Sequence, residues 1–191
     1  MKVYLKSRRV SGQTLFLFMK QSVKHFFILS ISVLALTTCW SQVESTATKK
    51  NHLHVSERPN KWINDFENIL SVSQELTLDS LVRSFERSSS IEIMVITLDS
   101  TYTTGDNFDK FVLDIHNRWG VGKKESNNGI VIGVSSGLRK IRISNGYGIE
   151  KRMPDEETKK IIEELIIPEF KKSNYFEGIK KGVHALIAKL Q

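Results

Sequence analysis

The sequence predicts a single-domain α/β protein, a three-layer α/β/α sandwich built on a mixed sheet. Three observations carry that prediction. Residues Ile91 to Leu98 and Ile130 to Val134 are nearly continuous runs of apolar and β-branched residues, the composition of strands covered on both faces. Between them Phe108, Phe111, Val112, Ile115 and Trp119 recur at helical spacing, with Asp109, Lys110, Asp114 and Arg118 outside the stripe. Strand, helix and strand in that order predict a right-handed crossover and a parallel pair. Arg139 to Ile143 then alternates charge with isoleucine after a Ser136-Gly137 turn, as a half-exposed antiparallel partner would.

The chain has 191 residues, which suits one ordinary domain plus a terminal segment. Phe26 to Leu36 is an uninterrupted run of apolar and small residues, preceded by Lys20 and Lys24. A basic flank, a short apolar core and a small-residue exit predict a signal peptide over residues 1–41, and the core is short for a membrane span. Met19 opens an ordinary signal of its own, so the start lies at Met1 or at Met19. Cys39 and Ser41 suit cleavage before Gln42. The alternative takes Leu36-Thr37-Thr38-Cys39 as a lipoprotein box with Cys39 lipidated, although Thr38 is a poor fit before the cysteine. The expectation is an exported protein, secreted or periplasmic, with a lipid anchor at Cys39 as the alternative.

Export changes the charge argument. Six basic and no acidic side chains fall within residues 1–41, so of the 28 Lys and Arg, 22 remain against 21 Asp and Glu. The mature net charge is then about +1 rather than +7, and the high isoelectric point gives no support for nucleic-acid binding. Cys39 is the only cysteine, so cleavage before Gln42 leaves no thiol for disulfides, thiolate metal sites or nucleophilic catalysis.

Residues 42–60 are rich in Ser, Thr, Lys and Asn and read as a flexible linker, with His52 and His54 spaced to touch one metal ion but expected to be solvated. The folded domain is expected over residues 61–191. Trp62 to Leu70 is a lead-in segment that docks on the core, and Ser71 opens a helix with Gln74 as its capping-box partner. Leu78, Leu81, Val82 and Phe85 form the buried stripe of that helix, which ends at Ser88-Ser89-Ser90. After β-rich residues 130–144, Asp155 is expected to cap a helix burying Ile161, Ile162, Leu165 and Ile166, which Pro168 interrupts. A last amphipathic helix carries Phe176, Ile179, Val183, Leu186, Ile187 and Leu190.

Several short stretches together resemble the TPM domain family, named after thylakoid, photosystem-repair and receptor-assembly members. They are Ile63-Asn64-Asp65-Phe66 with Ile69-Leu70-Ser71, Trp119-Gly120-Val121-Gly122, Asn127-Asn128-Gly129-Ile130, Arg142-Ile143 followed by Gly146-Tyr147-Gly148-Ile149-Glu150, and Ile167-Pro168-Glu169-Phe170 through Tyr175-Phe176-Glu177-Gly178. They occur in family order from about Trp62 to Leu190. The resemblance implies an α/β/α sandwich outside the cytoplasm, with a divalent cation, calcium in some members, near the sheet edge. It implies acid-phosphatase activity for some members and assembly or repair of membrane complexes for others.

Without thiols or paired histidines, such a cation needs oxygen ligands, which suit Ca²⁺ or Mg²⁺. Asp65, Asp106, Asn128 and Glu150 are the candidate ligands, with Asp99 in the same neighbourhood and Asp65 the first choice for ligand or catalytic base. Each has a structural reading too: Asp106 and Asp155 as helix caps, Asn64-Asp65 and Asn128-Gly129 as turns. Arg142 or Lys123 would neutralise a phosphate, and His116 and His184 are expected to be ordinary surface or core residues. The reading is an exported, cation-binding accessory module that meets an envelope or membrane-complex protein through a surface around Tyr147, Tyr175 and Phe176. A metal-dependent phosphomonoesterase is the alternative.

Overall fold

The structure, a computed structural model, describes Val55 and residues 57–191. The signal peptide, the start at Met1 or Met19, Cys39, His52 and His54 lie outside the described residues. The described residues all fall within one compact unit.

Four strands form the sheet in the order of the chain: β1 (Ile63–Asp65), β2 (Glu92–Thr97), β3 (Gly129–Ser135) and β4 (Lys140–Asn145). The first three are parallel, and β4 returns antiparallel to β3 through the predicted turn. Helix α1 (Val72–Ser89) begins with the predicted capping box: the Gln74 amide donates to Ser71 Oγ and the Ser71 amide to Gln74 Oε1. Helix α2 (Phe108–Trp119) is the crossover between β2 and β3. A short turn of helix, α3 (Tyr147–Glu150), leads to α4 (Asp155–Lys160), a π-helical turn (Ile161–Ile166), α5 (Ile167–Phe170) and α6 (Tyr175–Leu190).

Alternation along each strand divides the interior into two cores. Ile93, Val95, Ile130, Ile132 and Ile143 face a core closed by α1, the π turn and α6. Met94, Ile96 and Val131 face the other, where α2 covers them with Phe108, Val112, Ile115 and Trp119. Gly133 belongs to that second face: a Cβ there would lie 2.4 Å from Val112 Cγ2, so α2 rests directly on the strand backbone.

Several expectations are corrected. Trp62 to Leu70 is no mere lead-in, because Ile63–Asp65 pairs with Val95, Ile96 and Thr97 as an edge strand too short to show a period. Ahead of Lys61, Val55 is buried beside Trp119, and Trp119 Nε1 donates to its carbonyl at 2.8 Å. Neither Asp106 nor Asp155 caps a helix. Asn107 and Pro154 precede α2 and α4, and neither makes a side-chain cap bond.

Pro168 does not break the helix that Asp155 begins. The chain widens one turn ahead of it, where the Ile167 amide reaches back to the Ile162 carbonyl, and helix resumes through α5. Proline has no amide to continue the ladder, and an i→i−5 turn absorbs the mismatch. The extra residue rotates Leu165 outward to 38 % exposure while Ile161 and Ile166 stay buried.

Candidate functional site

Both loops flanking the β3–β4 pair sit at one edge of the sheet, as the sequence predicts. The Gly146 amide donates to the Gly129 carbonyl at 2.8 Å and the Gly148 amide to the Asn127 carbonyl at 3.0 Å. The contact is close enough that a Cβ on Gly148 would meet the Ser126 carbonyl oxygen at 1.9 Å. The paired loops form one end of a cleft of about 440 Å³ between α2 and β4.

Strand alternation supplies the floor of this cleft. Ile141 and Ile143 turn toward the α1–α6 core, so Arg142 and Ser144 turn toward α2. His116, on the last turn of α2, brings Nδ1 to 2.9 Å from Ser144 Oγ, and both side chains are buried. Burial holds the His116 ring below its ordinary pKa of 6.5, and the Arg142 charge adds to this. The nearby Val121 backbone opposes the shift without overcoming it. Nδ1 accepts from the serine hydroxyl in the Nε2–H tautomer and donates to it in the other.

Arg142 Nε and Asn145 Oδ1 are buried without hydrogen-bond partners, and both residues line the cleft. An unmet buried donor costs about 1–3 kcal/mol, so a guanidinium N–H left this way is a place where a ligand acceptor is worth more than usual. Glu150 and Asp155 stand on the same lining, with Tyr147 81 % exposed beside them. The site thus combines a cation, a hydroxyl–imidazole pair and two carboxylates.

Against known proteins, residues 63–189 match the family model described as the TPM domain. The chain belongs to the TPM domain family. The solved N-terminal domain of a protein from P. gingivalis is 32 % identical, with a TM-score of 0.62 over 68 % of this chain and 82 % of that one. The BA42 protein of the psychrophilic bacterium Bizionia argentinensis, 21 % identical, superposes with a TM-score of 0.55 over 65 % of this chain and 83 % of its own. The N-terminal domain of cg2496 from Corynebacterium glutamicum, at 9 % identity and a TM-score of 0.53 over 69 % and 81 %, shares the fold alone. No curated protein matches the chain.

Several signature residues of this TPM domain are structural fastenings. Trp119 to Gly122 wraps a buried carboxylate: Glu92 Oε2 accepts from the Gly122 amide and Arg58 Nη2, each at 2.9 Å, and Oε1 accepts from Lys123 Nζ at 3.0 Å. Burial raises the Glu92 carboxyl, but these three donors outweigh it and hold the group below the usual range. Lys123 is therefore occupied, with Glu86 as a second partner at 3.5 Å, and Arg142 alone of the two expected phosphate cations faces the cleft. Asn128 is also committed, accepting from the Lys123 amide and donating to the Ser90 carbonyl.

The four expected metal ligands do not converge. Asn128 and Glu150 flank the N-terminal ends of the parallel strands, whereas Asp65 is the last residue of β1, at their C-terminal ends, beside Thr97. A six-residue strand spans about 20 Å, far beyond the reach of one ion. Both Asp65 oxygens are taken, by the Ile69 and Leu70 amides at 3.2 and 2.7 Å and by the Thr97 hydroxyl. Asp99 turns back on Thr101, and Asp106 is exposed ahead of α2. Among the described residues no group of three or more His, Cys, Asp and Glu could hold a metal ion. Tyr147 and Tyr175 are divided in the same way, since Tyr175 lines a separate cleft with Ser135 and Lys140. His116 and Ser144 were not legible as a pair: only the lateral packing of α2 over β4 brings them together.

Proposed function

We propose that this TPM-domain chain is an exported binding module whose α2–β4 cleft takes a phosphate group together with a divalent cation. The observation that carries the reading is Arg142, its buried Nε without a partner, on the lining of a cleft that Glu150 and Asp155 also line. Arginine suits a phosphate oxygen there, because a charge-assisted hydrogen bond in a shielded site is about twice as strong as a neutral one. Two carboxylates are too few for a calcium cage of six to eight oxygens but fit Mg²⁺, which is ordinarily held by one or two carboxylates, waters and the ligand's own phosphate. Such an ion on Glu150 and Asp155 would offset phosphate charge and polarise a phosphoryl oxygen. Export rests on the leader over residues 1–41, and the ligand-bearing module would serve the assembly or maintenance of an envelope protein complex.

Titration calorimetry with inorganic phosphate in the presence and absence of Mg²⁺ tests this reading. Cation-dependent binding that Arg142→Ala abolishes supports it; equal binding by the variant sinks it.

Phosphomonoester hydrolysis at the same cleft is a second reading, favoured by the Ser144–His116 geometry. Here Ser144 Oγ would bond phosphorus as its proton passes to His116 Nδ1, the same proton would leave with the alcohol, and water would then release the phosphate from the serine. Mg²⁺-dependent release from an aryl phosphate that is lost in Ser144→Ala would support turnover. Binding without release leaves the module, whose partner would then be sought by capture from envelope extracts with Arg142→Ala as the control.

A further inference from the structure

We infer that the chain carries a second anion site at the opposite end of β4, in a cleft of about 490 Å³ bordered by the β3–β4 turn and α5. Arg139, Lys140 and Lys171 line it, together with Phe170 and Tyr175, and no carboxylate does. On the neighbouring helices several cationic side chains lie within 4 Å of an acid: Lys160 and Lys189 on Glu157, Lys172 and Lys181 on Glu169, Lys180 on Glu177. None of the ion pairs among the described residues includes Arg139, Lys140 or Lys171.

Glu67, held against the β3–β4 turn, and Glu169, on α5, are already engaged. Glu67 accepts from the Ser136 and Gly137 amides and the Ser136 hydroxyl, and Glu169 is turned to Lys172 and Lys181. Lys140 adds only its stem and backbone, since its Cε lies 3.8 Å from the Cβ position of Gly105 on the α2 side. Arg139 and Lys171 are thus two like charges on one concavity with nothing of opposite sign on its lining, an arrangement that an anion relieves.

The apolar wall narrows the ligand class. Phe170 and Tyr175 pack with ring centroids 5.0 Å apart, tilted by 53°, and both rings are half-buried on the cleft lining. Cations over an aromatic wall favour a phosphate group attached to an apolar or aromatic body rather than a bare inorganic ion. A soluble phosphate ester and an anionic phospholipid headgroup share that chemistry. The site is distinct from the α2–β4 cleft: Ile141 lines this one, and its neighbour Arg142, turned to the other face of the sheet, lines that one.

Residue-resolved NMR titration of the full chain with phenyl phosphate, and separately with phosphatidylglycerol vesicles against phosphatidylcholine vesicles, tests the site. Without added Mg²⁺, shifts centred on the Arg139–Ile141 backbone and on Lys171 and Tyr175 are expected; they persist in Arg142→Ala, and affinity falls at least about tenfold in the double variant Arg139→Glu, Lys171→Glu. A response to phenyl phosphate alone assigns a soluble ester, and one that also requires phosphatidylglycerol, or appears with it alone, assigns the headgroup. Absence of both responses, or responses the charge-reversed variant retains, overturns the site whatever becomes of the Arg142 cleft.

Discussion

His116 Nδ1 stands 2.9 Å from Ser144 Oγ, joining the last turn of α2 to a strand 28 residues later. Because burial depresses the pKa of this ring below 6.5, the unfolded chain binds the proton more readily than the folded one as pH falls through that value. Stability contributed by the neutral ring is therefore present above 6.5 and declines below it. Urea midpoints of the wild type should fall between about pH 7.5 and about pH 5.5 by more than those of His116→Gln. Parallel curves would place the ring's proton affinity near its ordinary value.

Asp65 is predicted to act through stability. Its carboxylate joins the amides that lead into α1 to Thr97 at the end of β2. Asp65→Ala strands several donors and should lower unfolding free energy by about 1–3 kcal/mol in urea titrations. Mg²⁺-dependent phosphate binding by the folded variant should equal that of the wild type. A selective loss of cation binding with unchanged stability would return Asp65 to the role of ligand.

At Gly133 the prediction is steric. With Val112 Cγ2 at 2.4 Å from the Cβ position, Gly133→Ala forces α2 away from the sheet and should cost about 1–3 kcal/mol. Adding Val112→Ala should recover part of that cost, which a double-mutant cycle measures directly. Additive losses would mean that α2 shifts without resistance.

Glu169 links α5 to α6. Lys181 at 2.6 Å and Asn174, with Lys172 nearby, outweigh the effect of burial and hold its carboxyl down at about 2. A depressed carboxyl stabilises the fold above its unfolded pKa of about 4.5, and that contribution is lost as pH falls from there toward 2. Glu169→Gln should lower the melting temperature at neutral pH and lessen its fall between about pH 5 and about pH 2.5. An equal fall in both proteins would show that the Lys181 contact is spent on solvent.

Sequence periodicity alone determined the α/β class, the β2–α2–β3 crossover, the antiparallel return of β4 and the Ser71 capping box. Each rests on contacts among residues close in the chain or on a repeat that one element displays by itself. The adjacency of the two loops around Asn127 and Gly146 followed from the same hairpin logic.

Tertiary structure decided which polar residues meet. Strand direction placed Asp65 and Glu150 at opposite edges, a consequence of β1 being a parallel strand that three residues are too few to announce. The width of one π turn turned Leu165 outward, since the backbone had to accommodate Pro168 before the next helix. The lateral offset of α2 over β4 set His116 against Ser144 and left Arg142 Nε unpartnered, because side chains from separate elements share a cleft only once packing fixes how far apart their backbones lie.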